Sequence, residues 1–174
     1  MSASTPVRGT DRLEDRAAIV AVSISYAAGI DHRDWDRYRD IFTDRCEFDF
    51  SSFSGNPASF MTNQQWADNV RSLNGNFDAT QHIMTNHDIT FTGEHAAVGI
   101  NELQAQHFFT AATMESFGRE PVAAWCLLGG HYTNTYVRRD NGTPWQITRC
   151  QLEVRWRTGD ETIFALARQR GLAG

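Results

Sequence analysis

Residues 28–35, Ala-Gly-Ile-Asp-His-Arg-Asp-Trp, lie where a first helix is predicted to end, and they include an acidic residue, Asp31. The apolar residues before this stretch recur at steps of four and three, the spacing that places side chains on one face of an α-helix. This apolar stripe consists of Leu13, Ala17, Val20, Ile24 and Ala27. Asp31 lies four residues further along, so its carboxylate is expected to point inward, where an unpaired charge is unfavourable.

A second interpretation of Asp31 is that it caps a helix. The first helix would then end at Gly29, and Asp31 would cap another helix that begins near Arg33. The two interpretations differ in whether the Asp31 carboxylate needs a partner from elsewhere in the chain.

Length and composition predict a single soluble domain. A chain of 174 residues can bury roughly two thirds of its unfolded surface in one core. Lys and Arg (16) are outnumbered by Asp and Glu (21) and are scattered, so no nucleic-acid partner is expected. No apolar run reaches the roughly 20 residues that span a bilayer, and the N-terminus lacks the apolar segment of a secretory signal. We therefore expect a cytoplasmic protein without a membrane partner.

The cysteines and histidines give no sign of a metal site. Cys46, Cys126 and Cys150 are odd in number and far apart, which argues against a disulfide framework or a zinc site. They are expected to be reduced thiols in or near the core. The six histidines show no His-x-His or His-Glu-x-x-His pattern, so no metal is predicted.

The first half of the chain is predicted to be mostly helical. Residues 1–10 are predicted to be a flexible terminus. Periodicity predicts helices at 11–28, 33–42 and 63–73, with a short strand at 46–50 and a loop at 51–57.

From residue 78 onward the sequence is typical of long strands, because Gly, Asn and Asp separate runs rich in Thr, Val, Ile, Phe and Tyr. Strands are predicted at 80–92, 96–110, 122–139 and 145–155, with hairpin turns at 93–94 and 141–142 and a looser connection at 114–120. A terminal helix is predicted at 160–170. Helices followed by a long meander predict an α+β fold, a cone-shaped curved antiparallel sheet packed with N-terminal helices. Such a sheet encloses a pocket for a small apolar ligand.

Two strands bring histidines to comparable positions. Period two places Thr80, His82 and Met84 on one strand face. On the next strand, Leu103, Ala105, His107 and Phe109 share a face. A pocket with two histidines is therefore geometrically consistent, although a single histidine is more often structural and strand parity does not say which face is concave. The same holds for His131, whereas His32, His87 and His95 lie in or near turns and are expected to be solvated.

The segments that hold these residues resemble known enzymes. Residues 26–37 look like the first-helix region of scytalone dehydratase, whose aspartate falls on Asp31. Residues 80–82 resemble the segment with its catalytic histidine, and His107 lies where its second active-site histidine falls. Residues 11–19, 132–134 and 138–140 are similar to hexachlorocyclohexane dehydrochlorinase.

Both enzymes belong to the SnoaL-like branch of the nuclear transport factor 2-like superfamily, which has a cystatin-like fold. The resemblance covers residues 11–157. It implies a cone domain over that range, preceded by the flexible terminus 1–10 and followed by a C-terminal helix or tail, 158–174, that is a candidate lid.

The resemblance implies an elimination pocket with Asp31, His82 and His107 as catalytic residues. His82 would remove a proton from carbon, and the carboxylate of Asp31 would fix the tautomer of its ring and raise its basicity. His107 would protonate or hydrogen-bond the departing oxygen. No cofactor is implied.

Other positions depart from the resemblance. The two tyrosines that polarise the substrate carbonyl in scytalone dehydratase match Ile30 and Phe50, which cannot donate hydrogen bonds. A lysine of the dehydrochlorinase matches Tyr26, and its arginine falls near Arg149 or Cys150. The residues expected to contact substrate are Tyr26, Phe50, Phe53, His131, Thr133, Cys150 and Leu152. Trp66 is expected to be core, and Phe164 to close the mouth of the pocket.

These observations predict a cofactor-independent lyase that performs a dehydratase-type elimination on a small cyclic or polyketide-derived carbonyl compound. The alternatives are an isomerase, cyclase or epoxide hydrolase with the same Asp-His dyad, or a non-catalytic domain that binds a small ligand. An oligomer is expected, because Tyr136 and Ile100 or their neighbours would otherwise expose apolar area on the outer sheet face. The resemblance implies a homodimer or homotrimer.

Overall fold

A computed structural model describes residues 12–173, so the predicted flexible terminus at 1–10 lies outside the described residues. The helices are α1 (Leu13–Asp31), α2 (Trp35–Asp40), α3 (Ser51–Ser54), α4 (Asn63–Asn74), α5 (Ala111–Ser116) and α6 (Ile163–Ala173). The strands are β1 (Phe42–Asp49), β2 (Ser59–Thr62), β3 (Ala79–Gly93), β4 (Ala96–Phe109), β5 (Ala124–Val137) and β6 (Gln146–Gly159). This is the predicted α+β fold, with the helices packed on one side of an open, curved, six-stranded sheet.

The sheet has the strand order β2-β1-β6-β5-β4-β3. The four long strands form the predicted antiparallel meander. The prediction of an antiparallel sheet is wrong for one pair, because β1 runs parallel to β6. Parallel neighbours need a long crossover, and the whole chain from α3 to β5 supplies it. Register shifts occur within β3, β5 and β6, and such bulges bend strands. The meander therefore curves around α1.

The buried face of α1 differs from the predicted stripe. Leu13 and Ile24 are 62% and 52% exposed, whereas Ile19, Tyr26 and Ile30 are at most 2% exposed. Both sets of residues have helical spacing, and the set that contains the large phenol ring of Tyr26 faces the sheet. The inward direction of Asp31 therefore does not follow from the stripe.

The junction of α1 and α2 removes the capping interpretation of Asp31. The helix continues through Gly29 to Asp31, and the cap of α2 is Asp34, whose side chain accepts a hydrogen bond from the Arg37 backbone N–H. Gly29 serves packing instead, because a Cβ there would lie 2.8 Å from the Cβ of Tyr38. The missing side chain lets α2 approach α1 closely.

Several predicted boundaries need correction. The second helix ends at Asp40, so the strand predicted at 46–50 begins earlier, at Phe42. The predicted loop at 51–57 contains α3, and part of the predicted connection at 114–120 is α5, which Thr110 caps. In the last hairpin, Asn141 does not take the expected positive φ. The Asp140 side chain accepts a hydrogen bond from the Gly142 N–H and stabilises a longer loop instead.

The outer face of the sheet is partly apolar. Tyr136 is not on it, since this side chain is 1% exposed in the core. The outer face does expose Ile100, and Ile83, Trp125 and Trp156 are also between 41% and 46% exposed. All three cysteines are buried. None of the helices in the described part of the chain is long and apolar enough to cross a membrane.

Candidate active site

A cavity of about 390 Å³ lies between the concave sheet face and the helices. This volume is within the range of small-molecule pockets. Apolar and aromatic residues make up slightly more than half of its lining. The polar ones are two histidines, two tyrosines, and serine, asparagine and arginine residues from 54–59, α4 and α6. The lining includes Tyr26, Ile30, Phe48, Phe50, Phe53, Trp66, His82, Leu103, Ala105, His107, Leu128, Tyr132 and Leu152.

The last residue of α1 and the first half of β3 form a close polar contact at this wall. The Nδ1 atom of His82 lies 2.7 Å from Oδ1 of Asp31. The backbone N–H of His82 donates to Oδ2 of the same carboxylate at 2.7 Å. The two hydrogen bonds fix both the position of the strand and the orientation of the ring. Assigned from this network, the proton of the neutral imidazole lies on Nδ1, which leaves the lone pair of Nε2 free.

The carboxylate of Asp31 stays ionised in this setting. Burial alone would raise its pKa, but the hydrogen bond and charge of His82, the backbone N–H of His82 and the hydroxyl of Thr80 lower it to a greater extent. The net effect is a pKa below the usual value. Asp31 is therefore the partner that orients His82, as a carboxylate commonly does for a working histidine.

Two further residues support the carboxylate and were not predicted. Thr80 donates its hydroxyl to Asp31 Oδ1 at 2.9 Å. The Thr80 hydroxyl in turn accepts a hydrogen bond from Arg33 at 3.0 Å, and Arg33 also donates to the Ile30 carbonyl at 2.7 Å. Arg33 has a φ of 61°, an unfavourable conformation for a residue other than glycine. The role of Thr80 could have been predicted from its position on the same strand face as His82. Nothing in the sequence indicates the path of the Arg33 side chain.

His107 lies in the same pocket in different surroundings. Its ring centroid is 5.8 Å from that of His82, 4.9 Å from Phe77 and 4.8 Å from Phe164. Its Nδ1 atom has no hydrogen-bond partner among the described residues. Burial, followed by the charge of His82, lowers the pKa of His107 to about 3. His107 is therefore a neutral imidazole that can donate an N–H but does not carry a positive charge near neutral pH.

A pair of tyrosines forms another polar part of the wall. The hydroxyls of Tyr26 and Tyr132 are 2.9 Å apart, and both residues are at most 3% exposed. Burial is the main reason why the pKa of each phenol is raised. Tyr132 was missed because its two neighbours in β5 were predicted to face the substrate, although the alternation of the strand alone allows either choice.

Among the residues predicted to contact substrate, Tyr26, Phe50, Phe53 and Leu152 line the cavity together with His82 and His107. The predicted substrate contacts of His131 and Thr133 need correction. Because Tyr132 faces the pocket, its two neighbours in the strand face the other side.

Three residues, His131, Cys150 and Trp66, lie elsewhere than predicted. The Nε2 atom of His131 lies 3.8 Å from the exposed carboxylate of Glu153, as expected for the outer face. Cys150 is fully buried and does not reach the cavity wall. Trp66, expected to be core, lines the cavity and stacks on Phe48 at 4.1 Å between ring centroids.

The terminal helix α6 covers one side of the pocket. Phe164 contacts the rings of His107 and Phe53, with a centroid distance of 5.4 Å to the latter, and Arg168 lies at the rim. Within residues 12–173, no group of three or more His, Cys, Asp or Glu side chains is arranged to hold a metal ion.

Comparison with known proteins identifies the domain family of this chain. The sequence profile of the SnoaL-like domain matches residues 11–151. A search of curated proteins gives no significant match. Among solved structures, the Kfla4162 protein of Kribbella flavida is 27% identical with a TM-score of 0.76, over 91% of this chain and 99% of that one.

Two more distant structures bear enzyme names. A type 2 hexachlorocyclohexane dehydrochlorinase is 23% identical, with a TM-score of 0.66 over 86% of this chain and 91% of the other. A protein of Novosphingobium aromaticivorans that is provisionally named a scytalone dehydratase is 21% identical, with a TM-score of 0.69 over 86% and 90%. At these identities the likeness shows a shared fold.

Proposed function

Since this chain belongs to the SnoaL-like domain family and its fold is shared with proteins named as a dehydrochlorinase and a dehydratase, we propose that it is a lyase. The specific reaction is a dehydratase-type elimination on a small cyclic or polyketide-derived carbonyl compound, without a cofactor. The observation that carries the proposal is the contact of His82 Nδ1 with the Asp31 carboxylate at 2.7 Å, at the wall of the cavity.

His82 is the base of the proposed reaction. Its Nε2 atom takes the proton from the carbon next to the substrate carbonyl, and the electron pair of that C–H bond forms the new C=C bond as the C–O bond of the leaving hydroxyl breaks. The resulting imidazolium is stabilised by the Asp31 carboxylate and then gives its proton to the departing oxygen. Water leaves and neutral His82 is restored, so that protons and charges balance. General-base catalysis of this kind contributes about 10²- to 10⁴-fold.

His107 has a narrower role than a general acid. Its lowered pKa, about 3, leaves it neutral, so it contributes an N–H hydrogen bond to the departing oxygen and no full proton. Because its ring centroid lies 5.8 Å from that of His82, one small substrate can contact both rings.

The walls of the cavity favour a flat or cyclic substrate. Phe48 and Trp66 form a stacked pair, and Phe50 lies against Trp66 at 4.6 Å between centroids. A substrate that covers these rings displaces water from them, which strengthens the few hydrogen bonds to the reacting atoms.

The test is an elimination assay on a panel of cyclic β-hydroxy ketones, followed by the ultraviolet absorbance of the conjugated enone product. We expect His82→Ala to reduce kcat/KM by about 10²-fold or more. The matched control is His131→Ala, which removes a histidine from the outer sheet face and should leave the rate unchanged. Wild-type turnover in the His82→Ala protein would overturn the proposal, and products that are isomers of the substrate would favour an isomerase instead.

A further inference from the structure

Two tyrosines of the cavity wall, Tyr26 and Tyr132, bring their hydroxyl groups together. The indole N–H of Trp66 can only donate, and it donates to the Tyr38 hydroxyl at 2.9 Å. Tyr38 adjoins Tyr26, with ring centroids 5.0 Å apart, and the Tyr26 hydroxyl lies 2.9 Å from that of Tyr132. The order of these groups is therefore Trp66, Tyr38, Tyr26, Tyr132.

Tyr26 and Tyr132 both line the cavity, whereas Tyr38 does not. Their two hydroxyls supply two protons, and the hydrogen bond between them uses one, whichever hydroxyl donates. One hydroxyl proton of this pair is therefore left for a further acceptor.

This donor lies apart from the two histidines. In the sheet, His82 pairs with Ala105, and Ala105 pairs with Leu128. Tyr132 is four residues further along β5 than Leu128, about 13 Å in an extended strand. Between Leu128 and Tyr132, the inward position is Gly130, which carries no side chain. The cavity thus has one end with imidazoles, one end with phenols and an apolar floor between them.

We propose that the Tyr132 hydroxyl, oriented by Tyr26, is the hydrogen-bond donor that binds the carbonyl oxygen of the substrate. The inference rests on the proposed function and assigns a further catalytic residue to it. The substrate class becomes a compound in which a neutral oxygen acceptor and the hydroxyl to be eliminated lie on the two carbons that flank the carbon losing its proton. A carbonyl fits because the tyrosine pair has a hydroxyl proton left over, and a second donor on the ligand would leave that proton unpaired.

The hydroxyl pair of Tyr26 and Tyr132 would act when negative charge develops on the carbonyl oxygen of the substrate. As His82 removes the proton, part of the electron density shifts onto the carbonyl oxygen before the C–O bond has fully broken, and a fixed donor stabilises that charge more than it stabilises the neutral substrate. Cooperative hydrogen bonding from Tyr26 strengthens the donor. No proton needs to leave Tyr132 in this step, which agrees with the raised pKa that burial gives its phenol.

The first measurement is kcat/KM for elimination in two hydroxyl-deletion variants. Tyr132→Phe keeps the ring and is expected to lower kcat/KM by about 10²-fold. Tyr26→Phe leaves the Tyr132 hydroxyl in place without its partner and is expected to lower it about tenfold. The matched control is Tyr136→Phe, a buried tyrosine of the same strand whose hydroxyl accepts from Asn134 outside the cavity wall; it should eliminate at the wild-type rate. Equal rates in Tyr132→Phe and Tyr136→Phe would overturn the inference.

The second measurement does not depend on turnover. The carbonyl stretch of 2-cyclohexenone, which has no leaving group, is recorded by infrared difference spectroscopy in the His82→Ala protein. We expect a shift to lower wavenumber on binding, lost when Tyr132→Phe is added and kept when Tyr136→Phe is added. A shift without any elimination by the wild-type protein would refute the lyase and retain the carbonyl donor. Absence of a Tyr132-dependent shift would refute the donor, whatever the protein catalyses.

Discussion

His82 and His107 share one pocket wall, with ring centroids 5.8 Å apart, yet they have opposite surroundings. His82 has a carboxylate on Nδ1, and that carboxylate is itself bonded to Thr80 and, through Thr80, connected to Arg33. His107 has aromatic rings around it and an Nδ1 atom without a partner among the described residues. The same residue type is therefore prepared as a base at one position and held neutral at the other, since environment decides which role an ionisable group can take.

The difference between His82 and His107 depends most strongly on Asp31. Asp31→Asn keeps the shape of the side chain but removes the charge, and its amide can donate a hydrogen bond to His82 Nδ1, which would place the ring proton on Nε2. We expect kcat for elimination to fall by about 10²- to 10⁴-fold, the range of a lost general base. The ring tautomer is read directly from the ¹⁵N chemical shifts of His82.

The control for Asp31 is Asp34→Asn, in which the substituted residue is the exposed cap of α2. Asparagine caps helices as well as aspartate does, so neither the rate nor the ¹⁵N shifts should change. If Asp31→Asn retained the Nδ1–H tautomer and full activity, His82 would not depend on the carboxylate, and the contrast with His107 would lose its basis.

The second prediction concerns stability and pH at His107. Its pKa is about 3 in the folded protein and about 6.5 in an unfolded chain. Below pH 6.5 the unfolded chain binds a proton that the folded protein does not, so this histidine makes the folded state less stable as the pH falls from about 6.5 toward 3. The limiting slope is about 1.4 kcal/mol per pH unit.

Urea unfolding between pH 7 and pH 4.5 tests this prediction. In His107→Gln, which does not titrate in this range, the free energy of unfolding should fall less steeply with decreasing pH than in the wild type. Phe109→Leu is the matched control, since it removes packing from a fully buried neighbour on the same strand and keeps His107. It should lower stability at every pH with the wild-type slope. Equal slopes in wild type and His107→Gln would mean that His107 takes up its proton in the folded protein as readily as in the unfolded chain.

The contrast between the histidines was only partly accessible from the sequence. Strand parity placed His82 and His107 on comparable faces, and the fold followed from helices that precede a long meander. The helical pattern gave a wrong prediction where contacts with the rest of the fold decide which face of α1 is buried. The apolar stripe that led to Asp31 is the exposed side of α1 at Leu13 and Ile24, so the pairing of Asp31 with His82 rested on the resemblance.

The other failures on β5 have a different cause. Period two separates the faces of a strand but does not say which one is concave. His131 and Thr133 were therefore predicted to face the substrate, and Tyr132, which lines the cavity, was passed over. Such an error reverses every inward and outward assignment on the strand.

The third and smallest effect is expected at Thr80. Its hydroxyl donates to Asp31 Oδ1 at 2.9 Å and accepts from Arg33 at 3.0 Å, so it positions the carboxylate without touching a substrate. Thr80→Val has the same shape and removes both hydrogen bonds. The one to the Asp31 carboxylate acts on the site, and a hydrogen bond to a charged group is worth about 1.5–3 kcal/mol. Because Asp31 keeps both of its bonds to His82 and its side chain is 16% exposed, water can replace part of the loss. We therefore expect kcat to fall about tenfold with little change in KM.

Thr80→Ser distinguishes positioning from packing, because serine restores the hydroxyl and deletes only the methyl group. A return to near wild-type kcat in Thr80→Ser, together with the loss in Thr80→Val, would show that the hydrogen bond holds the Asp31 carboxylate against His82. If both variants lost activity equally, the methyl group and the packing of the strand would be responsible. Because Thr80 is also the cross-strand partner of His107, the ¹⁵N shifts of His82 are the readout: they should change in Thr80→Val and return toward the wild-type values in Thr80→Ser.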